Sequence, residues 1–283
     1  MTLVMFEIFL GYFEKKLSKD VLHEQEIGQI FKSKNTIIFL GNSLTREGIN
    51  QSLFNKSMID IYGEDFNIGY VYPDDTSIIE WYYIIKSYMD NDLLPKYLFI
   101  NFAANQLLSP DIKFEEIQRI AGFINFTQIT SVIIDEDLNI GQSMDLILCK
   151  VSKLYKHRER IQRRILDNIP NYRLTTRKYN EILKKHYPEN VVHEYKYLKN
   201  ILTLFSLNDS KVIFCSLPIE SYYSLDKTCF TLIENSKNSI LLDLQNIDLY
   251  DDSHFSDGLH LNSTGSKILT ETLIKYIIDK NIK

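Results

Sequence analysis

Five short runs of β-branched and aromatic residues, separated by stretches with helical spacing, constrain this chain more than any other feature. They are Thr36 to Leu40, Asp65 to Ile68, Tyr97 to Asn101, Val212 to Ser216 and Ile240 to Leu244. None alternates strictly between apolar and polar, as a strand with one wet face would. Near-continuous apolar runs of this length suit parallel strands buried on both faces. Between them, Ser77 to Met89 places Ile78, Ile79, Trp81, Tyr82, Ile85 and Tyr88 on a broad apolar helical face. Ser263 to Ile278 closes the chain with Ile268, Leu269, Leu273, Ile274, Ile277 and Ile278 at similar spacing, and Ser263 is its expected N-cap.

This alternation predicts an α/β fold of three α/β/α layers, with a doubly wound, flavodoxin-like parallel sheet of about five strands. It lapses over residues 111–207, which read as mostly helical with few Gly or Pro. With no internal repeat and no low-complexity linker, residues 1–283 read as a single domain carrying 111–207 as a helical insertion. The insertion holds a basic cluster of Lys150, Lys153, Lys156, Arg158, Arg160, Arg163 and Arg164. Such a cluster is either a solvated helical face or a docking surface for an anionic or peripheral membrane partner.

Composition narrows the classes. The 283 residues are 45% hydrophobic and 24% charged, which is ordinary for a globular chain. A formal net charge of −5 argues against a nucleic-acid partner. Cys149, Cys215 and Cys229 are odd in number and form no CxxC pair, so neither a disulfide framework nor a thiolate metal site is expected. Leu3 to Phe13 is apolar but interrupted by Glu7 and followed by Lys15 and Lys16. It is shorter than the roughly 20 residues that span a bilayer and lacks the marks of a secretory signal. It reads as an amphipathic helix packed on the domain, with a membrane-surface anchor as the alternative. Together with the unpaired cysteines, this favours a cytoplasmic over an envelope-associated location.

The chemistry-bearing residues fall just after expected strands, where doubly wound folds gather their reactive groups. Ser43 follows the first run, and Gly41 before it permits a tight turn. Its plainer reading is a helix N-cap. Asp257 precedes His260 by three residues, a spacing that lets the carboxylate hold one ring nitrogen while the other faces a serine. Asp251 and His254 repeat the spacing, but only the later pair leads into Leu261-Asn262-Ser263-Thr264-Gly265, so His260 is favoured. A metal-ligand reading of Asp251, Asp252, His254, Asp257 and His260 lacks a partner cluster elsewhere. Neither a metal nor a cofactor is expected. Asn105, after the third run, can aim an amide at an oxyanion, although turn-forming asparagines are common.

Taken together, the blocks Gly41-Asn42-Ser43-Leu44, Asn67-Ile68-Gly69, Asn105 and Asp257-Gly258-Leu259-His260 resemble the SGNH, or GDSL-type, hydrolases over most of the chain outside 111–207. Ser43-Leu44-Thr45-Arg46-Glu47-Gly48-Ile49 and His260-Leu261-Asn262 look most like the branch of bacterial glycan O-acyltransferases and esterases. The resemblance implies Ser43 as nucleophile, His260 as base and Asp257 as its orienter. It implies oxyanion donors from the Ser43 N–H, the Asn105 side chain and the N–H of Tyr72, where the family carries glycine. Asn42 stands where the family has Asp, and Ala103 and Gln106 replace its Gly and Asp. Pro73, after Tyr72, has no N–H to give. The expected function is a serine esterase that removes a small acyl group, acetyl above all, from a carbohydrate or related small ester. The alternatives are O-acyl transfer onto a cell-surface glycan and a non-catalytic glycan-binding or scaffold module.

Overall fold

The computed structural model of the chain describes residues 36–63, 67–89, 94–109, 112–158, 161–162, 194–245, 247–280 and 282. The expected helix at Leu3 to Phe13 and the basic residues Arg160, Arg163 and Arg164 lie outside them. In chain order the principal elements are β1 (Thr36–Leu40), α1 (Ser43–Gly48), α2 (Gln51–Tyr62), β2 (Asn67–Val71), α3 (Ile78–Met89) and β3 (Tyr97–Phe102). There follow α4 (Phe114–Phe123), α5 (Ile129–Asp135), α6 (Ile140–Val151), α7 (Lys153–Lys156) and α8 (Lys196–Ser206). The chain then forms β4 (Lys211–Ser216), α9 (Lys227–Glu234), β5 (Ser239–Asp243) and α10 (Ser263–Asp279).

The strands build one parallel sheet in the order β2-β1-β3-β4-β5. This is the doubly wound order whose switch point lies between β1 and β3. The second strand sits later than expected, at Asn67–Val71. Its register is set by β1, with Ile38 opposite Gly69, Phe39 opposite Tyr70 and Leu40 opposite Val71. Asp65 and Phe66 lie outside the described residues.

Because successive side chains of a strand point to opposite faces, β1 sends Ile37 and Phe39 one way and Ile38 and Leu40 the other, all four buried. On the first face, Phe99, Ile213 and Cys215 join Ile37 and Phe39 in one core with Phe54 and Met58 of α2 and Leu269, Leu273 and Ile277 of α10. Phe39 anchors this core: its ring meets Phe54 edge-on at 5.0 Å and tilts against Phe99 at 4.9 Å. Burying one such side chain stabilises by about 1.5–3 kcal/mol. On the sheet's other side α3 and α8 pack together, with Tyr82 and Tyr197 rings 5.8 Å apart. All three cysteines are buried thiols outside any disulfide; burial pushes the Cys215 thiol up and raises that of Cys229 to about 12.

The described residues between Ile112 and Glu194 form a compact unit distinct from the sheet-bearing one. The helix α8, inside the expected range 111–207, belongs with the sheet. Within the helical unit α4 and α6 pack on each other, and Asn139 caps α6 by accepting from the Gln142 N–H at 3.0 Å. Members of the basic cluster are engaged inside this unit. Lys150 donates to the Ile124 carbonyl, and Arg158 lies 3.7 Å over the Phe114 ring and 3.9 Å over the Tyr155 ring.

Candidate active site

The turn from β1 into α1 is built so that Ser43 is its first helical residue. Asn42, not Ser43, is the N-cap: its side-chain oxygen accepts from the Leu44 N–H at 3.0 Å. The Ser43 hydroxyl is thereby left for another partner, and its N–H, at the first helical position, has no intrahelical acceptor. Glycine is required at position 41. A Cβ there would lie 1.9 Å from the Thr45 hydroxyl and 3.0 Å from the Asn101 carbonyl.

The loop after β2 is tied to this turn through Thr76. The Asn42 amide donates to the Thr76 carbonyl at 3.0 Å. The Thr76 hydroxyl donates to the Pro73 carbonyl at 2.7 Å and accepts from the Trp81 indole at 3.1 Å. A second tie runs from Arg46 to Asp74 at 2.6 Å. Glu80 accepts from the Ser77 N–H at 2.9 Å, so Ser77 precedes α3 as part of its cap.

The opposite wall is the turn leading into α10. The Asp257 carboxylate accepts from the Leu259 N–H at 3.1 Å and the His260 N–H at 2.8 Å, and meets His260 Nδ1 at 2.8 Å. The His260 amide, then its ring, then the Leu259 amide hold this carboxyl at about 2 against an ordinary 3.8. Gly258 takes a positive φ of 82°, and its carbonyl accepts from the Glu220 N–H of the loop after β4 at 3.1 Å. That loop is pinned by Tyr223, whose hydroxyl donates to the Leu217 carbonyl at 2.8 Å. Asn262, rather than the expected Ser263, caps α10, accepting from Thr264 N–H at 3.0 Å and Gly265 N–H at 3.2 Å.

The two walls meet at one contact: His260 Nε2 lies 2.9 Å from Ser43 Oγ. Ser43, His260 and Asp257 therefore form a continuous hydrogen-bonded line. His254 does not join it. Its Nδ1 accepts from the Asp251 N–H at 3.0 Å, closing a separate 3-10 turn at Asp252–His254. Among the described residues, no group of three or more His, Cys, Asp or Glu is placed to hold a metal ion. Asn105 stands exposed on the 3-10 turn Ala104–Leu107 after β3, and its side-chain amide bonds to none of the described residues. Ala104 beside it takes a left-handed φ of 48°, which costs a non-glycine residue about 1–2 kcal/mol. Tyr72 turns its phenol to Gln51, accepting from its Nε2 at 2.5 Å. Thr76 and Glu220 carry no signal in the sequence, since the turns they tie down, at Asn42 and Gly258, are remote in the chain. Asn42 does carry one, as a capping residue directly before a helical segment.

No family model matches the sequence, and no curated protein does. Solved structures with a related course of chain include an α/β hydrolase enzyme from the metagenome of Lake Arreo, Spain. It is 9% identical at a TM-score of 0.42, covering 87% of this chain and 96% of its own. Two catalytic mutants of Axe2, an acetylxylan esterase from Geobacillus stearothermophilus, are 12% and 11% identical at TM-scores of 0.41, with the same coverage. At these identities and TM-scores the likeness assigns no role to any residue of this chain. No described helix is long and apolar enough to cross a membrane.

Proposed function

We propose that the protein is a serine esterase of SGNH type, working through an acyl-enzyme on a small acyl ester, with an acetylated carbohydrate or related compound as substrate. The observation that carries this reading is the unbroken line from Asp257 through His260 to Ser43, at 2.8 Å and 2.9 Å. With Asp257 ionised, the proton on the ring belongs on Nδ1, which leaves Nε2 free to accept from Ser43. The hydroxyl then attacks the acyl carbon as its proton passes to Nε2, and Asp257 stabilises the imidazolium that forms. The negative oxygen of the tetrahedral intermediate would receive the Ser43 N–H, with the Tyr72 N–H and the Asn105 amide as further donors. The imidazolium returns its proton to the departing alcohol oxygen. Water then repeats the sequence on the acyl-enzyme, releasing the acid and restoring Ser43. No step calls for a metal or cofactor.

The deciding experiment is intact mass after incubation with a fluorophosphonate, beside Ser43→Ala. A single adduct, lost in the variant, is expected. Folded protein that takes up no reagent would overturn the reading.

A further inference from the structure

The loops around Ser43 and His260 are biased in charge. In the segments leaving the carboxyl ends of the strands (41–50, 72–77, 103–109, 217–226 and 244–262), Arg46 is the sole Lys or Arg. Nine Asp or Glu stand against it in the same segments, Asp74, Glu220, Asp251 and Asp257 among them. Arg46 offsets only its own partners, Asp74 at 2.6 Å and Glu47 at 3.0 Å.

Among these carboxylates, Glu220 lies against the acid–histidine turn. Its N–H holds the Gly258 carbonyl, and its Oε2 lies 2.4 Å from where a Cβ on Gly258 would be. Asp257 is committed to His260, whereas the Glu220 carboxylate has no hydrogen bond or ion pair among the described residues. Its charge is uncancelled beside Gly258, two residues before His260.

We propose that Glu220 sets the charge class of the substrate, so that the site takes neutral or cationic esters and disfavours anionic ones. This rests on the esterase reading above. An exposed carboxylate beside a reactive site acts on a charged substrate over about one Debye length, some 8–10 Å at moderate salt. It acts before and during the chemical step, so the effect falls on kcat/KM.

The test uses three acetyl esters of one aryl skeleton: neutral, sulfonated and trimethylammonium-bearing. At low ionic strength the sulfonated ester is expected to show kcat/KM roughly fivefold or more below the neutral one, with the gap shrinking as salt rises. Glu220→Gln should narrow the gap and Glu220→Lys should close or invert it, since neither removes the N–H that holds Gly258. Glu234→Gln, on α9, should leave the ratio unchanged. Equal turnover of all three esters, or a gap insensitive to Glu220, would overturn the assignment while leaving the esterase reading intact. If no ester is turned over and Ser43 takes no phosphonate, the esterase reading itself fails and this inference falls with it.

Discussion

Replacing Ser43 by alanine removes a hydroxyl that caps nothing, since Asn42 caps α1. The fold should therefore survive while kcat on a small acetyl ester falls by roughly 10³-fold or more. His260→Ala is expected to match it, and Asp257→Asn to be severely impaired because the ring loses the group that fixes its tautomer. His254→Ala should cost little in kcat, its ring being spent on the Asp251 turn. Near-wild-type turnover by Ser43→Ala would remove the assignment. Asp257 supplies a separate pH test. Its carboxyl is depressed in the folded chain, so its contribution to the turn is fully present above the unfolded value of 3.8 and lost as pH falls through about 2. The amide resonances of Leu259 and His260 should titrate with a midpoint near 2. A midpoint near 3.8 would mean that these bonds do not form in solution.

The loop after β2 is held to the Ser43 turn largely through one threonine, and the chain's only tryptophan is bonded to it. Thr76→Val strands the buried Trp81 N–H and releases the Pro73 carbonyl, a change expected to cost about 1–3 kcal/mol. Denaturation followed by Trp81 emission would measure it; an unchanged midpoint would show that the hub is dispensable. None of this is visible in the sequence, because Thr76 has no meaning until Gly41, Asn42 and Trp81 surround it. Where the signal is local, the reading holds. Thr36 to Leu40 is apolar or β-branched throughout, and the strand falls on those residues. Asn67–Val71 was harder, since Tyr70 and Val71 become strand residues by pairing with Phe39 and Leu40, a long-range choice. Asn262 and Ser263 are both competent caps, and only the fold selects between them. The acid–histidine spacing was legible because Asp257 and His260 lie within one turn of chain. Glu220 was not, because it reaches that turn from another loop.

The whole sheet unit depends on a core that α10 completes. Leu273→Ala opens a cavity against that core and should cost about 2–5 kcal/mol, read by urea denaturation of the whole chain. A loss below about 1 kcal/mol, the range of a tolerated volume-conserving exchange, would place α10 outside the cooperative unit. The same helix is preceded by His260, while Ser43 opens the first helix after β1, 217 residues earlier. At roughly 5–20 residues per second of synthesis, that separation alone delays the second half of the site by about 10–40 s. A ribosome-bound chain that has emerged only through β4 carries Ser43 but not His260. On the proposed mechanism, chains released early would be inert whatever structure they have gained, and appearance of turnover during translation would mark the moment the last helix docks.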